Sequence, residues 1–205
     1  MTAISIIGSG NMASAIGTRA AKHGHTVEFM SRNAAKAQAL ADQIGDGATV
    51  GTFGARPTGD IVILAVLYAG AVDVVTQYGD SLAGKVLVDI TNPFNADASG
   101  VATTPGNSVS QQILAAAPEG THVVKAFNTI FGGVLAADKP MDAFLAGDSA
   151  EARTRVGEFV ESLGMRPLDV GGIEMTHVLE WAGILLVGVA NNGAGFDVAL
   201  GAKTL

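Results

Sequence analysis

The chain has 205 residues, a net charge of −7 and no cysteine. This length is typical of one domain, or of one domain with a small appendage. The acidic balance argues against nonspecific nucleic-acid binding, which needs basic patches. The lack of cysteine excludes disulfides, thiolate metal sites and a cysteine nucleophile.

No apolar run in the sequence approaches the ~18–20 residues that span a membrane. The longest candidate, residues 181–190, is predicted to be a buried helix. The sequence begins directly with a strand pattern and without a signal peptide, so we expect a cytoplasmic protein. His23 and His25 flank Gly24 and are expected at the surface, and no histidine spacing predicts a metal site.

The first predicted strand, residues 4–7, runs directly into the stretch Gly8-Ser9-Gly10-Asn11-Met12-Ala13. A helix is predicted to follow over residues 12–23. Gly8 permits a tight turn, and Gly10 has no Cβ, so a pyrophosphate could approach the backbone and the helix N-terminus. Gly17 would let this helix lie close to the sheet. The alternative is an ordinary turn between a strand and a helix.

The second predicted strand, residues 26–30, ends in Ser31 and Arg32, and Lys36 follows one helical turn later. NAD-binding versions of this unit carry Asp or Glu about 20 residues past the glycines, where it binds the ribose 2′-hydroxyl. A hydroxyl, a guanidinium and an ammonium would instead bind a 2′-phosphate, which predicts NADP(H). Glu28 is a competing carboxylate near the strand end. Alternatively, the two cations are solvated residues at a helix start.

Apolar runs alternate with helical patterns along the rest of the chain. This pattern favours an α/β fold with a mostly parallel sheet. Further strands are predicted over residues 48–52, 60–66, 85–91, 122–126, 143–146 and 165–170. Further helices are predicted over residues 34–44, 72–78, 108–117, 150–163 and 174–191. A loop is predicted over 96–107 and a glycine-rich tail over 193–205.

An open parallel sheet binds its ligand beyond the carboxyl ends of the strands, where the strand order reverses. Ala65 and Val66 end one predicted strand, and Asn92 and Asn128 follow two others. Asparagine side chains both donate and accept hydrogen bonds, so Asn92 and Asn128 could bind a carboxamide or an aromatic heterocycle. They could equally only cap turns.

Several motifs together give the chain a family resemblance. Besides the first turn and the cluster at residues 31–36, they are Asp89-x-x-Asn92-Pro93, residues 124–129, Arg166-Pro167-Leu168-Asp169-x-Gly171 and Thr176-His177-x-Leu179-Glu180. With them the chain resembles the NADPH-dependent coenzyme F420 reductases (8-hydroxy-5-deazaflavin:NADP oxidoreductases) over essentially its whole length. The resemblance implies a Rossmann-type fold, a doubly wound, mostly parallel sheet with extra strands. It implies a homodimer, an NADP-binding domain over 1–172 and a small C-terminal helical cap over 173–205. It also implies direct hydride transfer between NADPH and F420, or a flavin in its place, in the crevice at the strand ends.

The resemblance also implies roles for individual residues. Residues 9–12 would hold the pyrophosphate and residues 31, 32 and 36 the 2′-phosphate, while Val66, Asn92 and Asn128 would border the nicotinamide. With Gly8 and Ala65 the predicted cofactor site is Gly8, Ser9, Gly10, Asn11, Met12, Ser31, Arg32, Lys36, Ala65, Val66, Asn92 and Asn128. No catalytic side chain and no metal are expected, because hydride transfer between two bound rings needs positioning and water exclusion.

The chain departs from the family pattern at two positions. Family members often carry Arg at the position of His177 and Pro at the position of Leu67. The change at Leu67 lies near the expected nicotinamide edge. His177 is expected to pair with Glu180 on an apolar helix rather than to act as an acid.

Three other functions compete with this interpretation. The first is an imine or hydroxyacid reductase. Such enzymes need a large helical domain, and the roughly 30 residues that follow Gly172 are too few to form one. The second is the activity of the cytoplasmic part of a membrane ferric reductase. Here such an activity would reduce a free flavin or a soluble metal chelate. The third is a non-catalytic NADPH sensor, which would bind NADPH without oxidising it.

Overall fold

The computed structural model describes residues 1–97, 99–203 and 205. The strands are β1 (Ala3–Ile7), β2 (Thr26–Met30), β3 (Ala48–Gly51), β4 (Ile61–Leu64), β5 (Val86–Asp89), β6 (His122–Lys125), β7 (Asp142–Gly147) and β8 (Arg166–Asp169). The helices are α1 (Asn11–Lys22), α2 (Ala34–Ile44), α3 (Ala71–Tyr78), α4 (Val109–Ala116), α5 (Gly132–Ala136), α6 (Ala150–Ser162) and α7 (Thr176–Val189). Residues 98 and 204, which fall within the predicted loop and tail, lie outside the described residues.

The predicted strands and helices are confirmed, with shifts of a few residues at their ends. The sequence interpretation missed the short helix α5, which begins with Gly132 and Gly133. Five residues are too few to show a helical period of apolar residues, and glycine is a poor helix former. The division into a domain over 1–172 and a cap over 173–205 stays a prediction.

The strands form one eight-stranded sheet in the order β3-β2-β1-β4-β5-β6-β7-β8. Every neighbouring pair is parallel except β6 and β7, which are antiparallel. The order reverses between β1 and β4, and the carboxyl ends of these two strands therefore flank a crevice. The predicted Rossmann-type sheet with extra strands is confirmed.

Two apolar layers bury the two faces of the sheet. Side chains from α1, α2, α5 and α6 cover one face, and side chains from α3 and α4 cover the other. Successive residues of β4 point alternately into the two layers, with Ile61 and Ile63 in one and Val62 and Leu64 in the other. Burial on both faces explains why this strand is a continuous apolar run.

Helix α7 corrects two sequence expectations. With the turns that flank it, it forms an apolar helix over Ile173–Ala194 of 22 residues with a mean hydropathy of 1.4, long enough by length and composition to cross a membrane. The apolar run counted from the sequence begins only at Trp181, although the helix predicted over 174–191 already includes the polar residues His177 and Glu180, and the apolar segment extends through both. The helix is also not buried all round, because Trp181 and Leu185 are about half exposed.

The expectation of a surface position is wrong for His25. Its side chain is buried, and its Nε2 atom lies 2.9 Å from the hydroxyl of Ser162. The backbone N–H of Thr2 donates to Nδ1, and the imidazole packs edge-on against Phe159. The ring therefore joins the start of the chain to the end of α6, a contact that local sequence does not reveal.

Candidate functional site

The turn after β1 requires a glycine at position 8. Gly8 has a φ of 136°, and a Cβ there would lie 2.1 Å from the carbonyl oxygen of Ala65. The amide N–H of Gly8 donates to the carbonyl of Met30 at the end of β2. The turn is thus fixed between the ends of β2 and β4, as the sequence predicted for a tight turn.

Gly10 precedes helix α1 and lies beside open space. A Cβ at this position would have no protein atom within 4 Å, so the backbone is accessible to a ligand. Helix α1 begins at Asn11, and no side chain caps it. Its first N–H groups and the positive end of its dipole therefore face the crevice and could bind phosphate oxygens.

Helix α1 lies unusually close to the sheet. A Cβ on Gly17 would lie 2.4 Å from Cζ of Phe29 and 3.4 Å from Cδ1 of Ile6. Ala13 is fully buried one turn earlier on the same face. The small residues at these positions therefore let the helix pack closely on the sheet, as predicted.

A first pocket of about 510 Å³ opens beside this turn. Its lining residues are Gly8, Ser9, Ser31, Arg32, Asn33, Lys36, Phe53, Ala65, Val66, Leu67, Ala69 and Gly70. The hydroxyls of Ser9 and Ser31 lie 2.9 Å apart across its floor. Asn33 caps helix α2 by accepting from the amide N–H of Lys36 at 3.0 Å. Two cations, two hydroxyls and a helix N-terminus therefore surround one space that would suit an anion.

Phe53 is a pocket residue that the sequence interpretation missed. Its ring packs edge-on against Tyr78, and the guanidinium carbon of Arg32 lies 6.0 Å from its centroid. An aromatic face beside a guanidinium offers a stacking surface for a heterocyclic base. The available signal was its position two residues beyond the end of β3, at the ligand-binding edge of the sheet.

Glu28 is not a ligand for the first pocket. Its Oε2 atom accepts from the hydroxyl of Ser5 at 2.6 Å and from the amide N–H of Thr58 at 2.9 Å, and its side chain is buried. Gly51 leaves room for it, because a Cβ there would lie 2.5 Å from Oε1. The competing carboxylate faces the interior, and no carboxylate is among the described residues that line this pocket.

A second pocket of about 390 Å³ adjoins the first. Its lining residues are Gly10, Asn11, Met12, Ala65, Val66, Leu67, Tyr68, Ile90, Thr91 and Asn92. Residues 65–67 line both pockets, so the two form one crevice across the ends of β1, β4 and β5. All the predicted cofactor residues except Asn128 line one pocket or the other. Tyr68, Ile90 and Thr91 were missed.

Asn92 and Asn128 form a pair at the ends of β5 and β6. The amide group of Asn92 donates to the carbonyl oxygen of Asn128 at 2.7 Å, and the amide group of Asn128 donates to Oδ1 of Asn92 at 3.0 Å. Asn128 also donates to the carbonyl oxygen of Leu179 on α7 at 2.7 Å. Asn92 therefore faces the second pocket, while Asn128 lies behind it and joins α7 to the sheet.

A group of buried charges lies beneath the second pocket. Burial alone would raise the pKa of Asp89, but the ammonium of Lys125 beside it holds that pKa below its usual value. Glu180 accepts from the amide N–H of Val109 at 2.8 Å and lies 3.8 Å from the Lys125 ammonium. These contacts fix α7 and the start of α4 against the strands.

His177 lies outside the crevice, on the far side of this charged group. Its Nδ1 atom is 3.4 Å from Oε2 of Glu180, and its Nε2 atom accepts from the indole N–H of Trp181 at 3.2 Å. The predicted pairing with Glu180 is therefore confirmed. Within residues 1–97, 99–203 and 205, no group of three acidic, histidine or cysteine side chains could hold a metal ion.

The chain resembles known proteins in sequence and fold. Residues 3–93 match the family described as NADP oxidoreductase, coenzyme F420-dependent, so the family resemblance predicted from the sequence is confirmed. The chain is 31% identical over 144 residues to an F420-dependent NADP reductase of Methanocaldococcus jannaschii, covering 66% of this chain and 64% of that protein. It is 28% identical over 180 residues to the metalloreductase STEAP3 of Rattus norvegicus, covering 86% of this chain and 35% of that protein.

The chain therefore spans about a third of the metalloreductase and just under two thirds of the archaeal reductase. A solved structure from Arthrobacter sp. FB24 superimposes on this chain with a TM-score of 0.85 at 21% identity, and the superposition covers both chains completely. At this identity the superposition establishes the shared fold. The solved structure of a protein from Sinorhizobium meliloti superimposes with a TM-score of 0.76 at 27% identity, over 99% of this chain and 97% of that protein.

Proposed function

We propose that this relative of the F420-dependent NADP reductases is an NADPH-dependent oxidoreductase that passes a hydride to a deazaflavin coenzyme of the F420 type. The observation that carries the proposal is the first pocket. It combines a glycine turn at a helix N-terminus with Ser31, Arg32 and Lys36, and no carboxylate is among the described residues that line it. The name of the family that matches residues 3–93 supports the acceptor.

The residues of the crevice fit NADP(H). The N–H groups at the start of α1 would bind the pyrophosphate beside Gly10, where a Cβ would meet no protein atom. Arg32 and Lys36 would bind the 2′-phosphate, and Phe53 would stack on the adenine. The nicotinamide would then enter the second pocket, between the wall at residues 65–67 and the end of β5.

When bound, NADPH supplies the hydride, and the acceptor takes it up together with a proton from solvent. The protein's part is to hold two rings in contact and to exclude water, because proximity and orientation lower the barrier of such a transfer. Of the described residues that line the second pocket, Tyr68 alone has an ionisable side chain. This lining supports a reaction that rests on positioning rather than on a catalytic acid or base.

The test is the loss of NADPH absorbance on addition of oxidised F420, with FMN, FAD and riboflavin in parallel. We expect rapid oxidation with F420, and transfer of deuterium from NADPH labelled at C4 to the deazaflavin. NADH in place of NADPH is the matched control and should react far more slowly. NADPH binding without oxidation by any acceptor would overturn the proposal in favour of a sensor.

Reduction of a free flavin or a ferric chelate is the second candidate function. The match to the metalloreductase STEAP3 over 86% of this chain favours it. Leu67 stands at the rim of both pockets and is exposed, so the acceptor could contact an apolar side chain there. Oxidation of NADPH by flavins or a soluble ferric chelate, with F420 inert, would support this candidate.

We also propose that the protein is a homodimer that contacts its second copy through α7. Val178, Trp181, Leu185 and Val189 are exposed and follow one another at spacings of three, four and four residues. They therefore form one apolar stripe on the helix, and a two-fold axis would let this stripe pack on itself. The cytoplasmic location stays a prediction.

A further inference from the structure

Buried polar atoms without a partner mark the ends of two neighbouring strands. Among the described residues, three buried side-chain atoms lack a hydrogen-bond partner: Tyr78 OH, Thr91 Oγ1 and Asn128 Oδ1. Thr91 follows β5 and Asn128 follows β6, both at the ligand-binding edge. Most buried polar atoms in native proteins are paired, so each exception calls for an explanation.

Both backbone polar groups of Thr91 are hydrogen-bonded, but its hydroxyl is not. Its amide N–H donates to Oδ1 of Asp89 at 2.8 Å, and its carbonyl oxygen accepts from the ammonium of Lys125 at 2.9 Å. The residue lines the second pocket and is 4% exposed. Because Oγ1 has no partner in the protein, turning it toward the pocket would break no hydrogen bond.

Asn92 is one of the two asparagines that could, from the sequence, bind a carboxamide or only cap a turn. It has less capacity than Thr91 to bind a carboxamide. One of its N–H groups and its side-chain oxygen already bind Asn128. A hydroxyl donates one hydrogen bond and accepts others, so it can pair with either end of a carboxamide. We propose, on the basis of the proposed function, that the Thr91 hydroxyl binds the carboxamide of the nicotinamide and thereby orients the ring in the second pocket.

The decisive comparison uses two ligands and the Thr91→Val variant, which keeps the shape of the side chain and removes the hydroxyl. The dissociation constants of NADP⁺ and of 2′-phospho-ADP-ribose, which lacks the nicotinamide, are measured by calorimetry. We expect the variant to bind NADP⁺ roughly 3- to 10-fold more weakly, the loss typical of one neutral hydrogen bond. Binding of 2′-phospho-ADP-ribose should not change, and Thr91→Ser, which keeps the hydroxyl, should bind NADP⁺ as the wild type does.

Thermal unfolding of the ligand-free proteins supplies a second readout. An unpaired buried hydroxyl does not stabilise the fold, so Thr91→Val should keep or raise the Tm. The matched control is Thr121→Val, because the buried Thr121 hydroxyl donates to the carbonyl oxygen of Leu82 at 2.9 Å. This control should lower the Tm and leave the binding of NADP⁺ unchanged.

Two results would overturn the inference while leaving the proposed function intact. One is wild-type binding of NADP⁺ by Thr91→Val, in which case the hydroxyl contacts water or nothing. The other is a lower Tm together with equal weakening for both ligands, which would show a structural role. Failure of the wild-type protein to bind either nucleotide would overturn the proposed function as well.

Discussion

The ammonium of Lys125 lies 2.7 Å from Oδ2 of Asp89, and neither side chain has any exposed surface. The hydroxyl of Ser110 on α4 donates to the same carboxylate oxygen at 2.6 Å. Glu180 of α7 approaches the ammonium from the other side. One ion pair thus joins two strands and two helices directly beneath the second pocket, and the segment that leads to Asn92 is fixed by it.

Removal of Lys125 should therefore destabilise the fold strongly. Lys125→Met leaves the buried Asp89 carboxylate without its cation, and we expect a loss of about 3–5 kcal/mol in the free energy of unfolding. Lys85→Met is the control, because Lys85 pairs at 3.2 Å with Asp60, whose side chain is 69% exposed. The Asp60 carboxylate stays in solvent without its partner, so this change should cost clearly less than Lys125→Met although Lys85 is itself buried. Urea denaturation measures both, and equal losses would contradict this account of the buried pair.

The acid sensitivity of the fold should depend in part on Asp138. Hydrogen bonds from Lys22 and His23 lower its pKa from 3.8 to about 2. Since the folded-state pKa is the lower one, the stabilisation is fully present above pH 3.8 and is lost as the pH falls through about 2. We expect Asp138→Asn to have a lower free energy of unfolding than the wild type at neutral pH. As the pH falls from 3.8 to about 2, the variant should lose less of that free energy than the wild type does.

Unfolding followed against pH for both proteins tests this expectation. Asp138 has a φ of 54°, a conformation that asparagine tolerates, so the variant changes charge without adding backbone strain. Lys22→Met removes one of the two hydrogen-bond donors and should weaken the same pH dependence. Identical pH profiles for the wild type and Asp138→Asn would show that the ion pair contributes nothing.

Close packing of α1 on the sheet predicts opposite effects of alanine at two helical glycines. Gly17→Ala places a methyl group where Cζ of Phe29 lies at 2.4 Å, and we expect a loss of about 1–3 kcal/mol despite the better helix propensity of alanine. At Gly188 on α7 a Cβ would meet no atom within 4 Å. Gly188→Ala should therefore gain about 0.5–1 kcal/mol. Thermal unfolding measures both, and a stabilising Gly17→Ala would contradict the close contact.

The sequence predicted the glycine turn and the cation pair because both depend on short-range rules. Gly8 needs its positive φ, and Arg32 and Lys36 follow a strand end at one helical turn. It could not predict that Asn128 would point toward α7 or that Phe53 would enter the first pocket. Those placements depend on which strands are neighbours and on how a distant helix packs, and neither has a local signal.

The charge at Arg32 should decide the preference for NADPH over NADH. Charge-assisted hydrogen bonds contribute about 1.5–3 kcal/mol, so Arg32→Ala should weaken NADPH binding by roughly 10- to 150-fold. Binding of NADH, which lacks the 2′-phosphate, should hardly change. Arg56→Ala is the control, because Arg56 is exposed and donates to the carbonyl oxygen of Ala83 away from the crevice. Equal weakening for both cofactors would assign Arg32 to adenine contact rather than to phosphate recognition.

Disruption of the α7 stripe should yield a monomer if the proposed dimer forms through that helix. Leu185 is 59% exposed in the middle of the stripe, and Leu185→Glu would place two carboxylates close to the two-fold axis. Burying such charges without partners costs several kcal/mol, which would exceed what a single helix pair gains from its apolar contact. The variant should therefore have half the mass of the wild type in analytical ultracentrifugation.

Leu67→Glu is the matched control for this experiment. Leu67 is also an exposed leucine, at 85%, but it lies at the rim of the crevice rather than on α7. It should leave the mass unchanged, because the stripe remains intact. A wild-type protein that sediments as a monomer at micromolar concentration would rule out the dimer. A Leu185→Glu protein that keeps the dimeric mass would place the interface elsewhere.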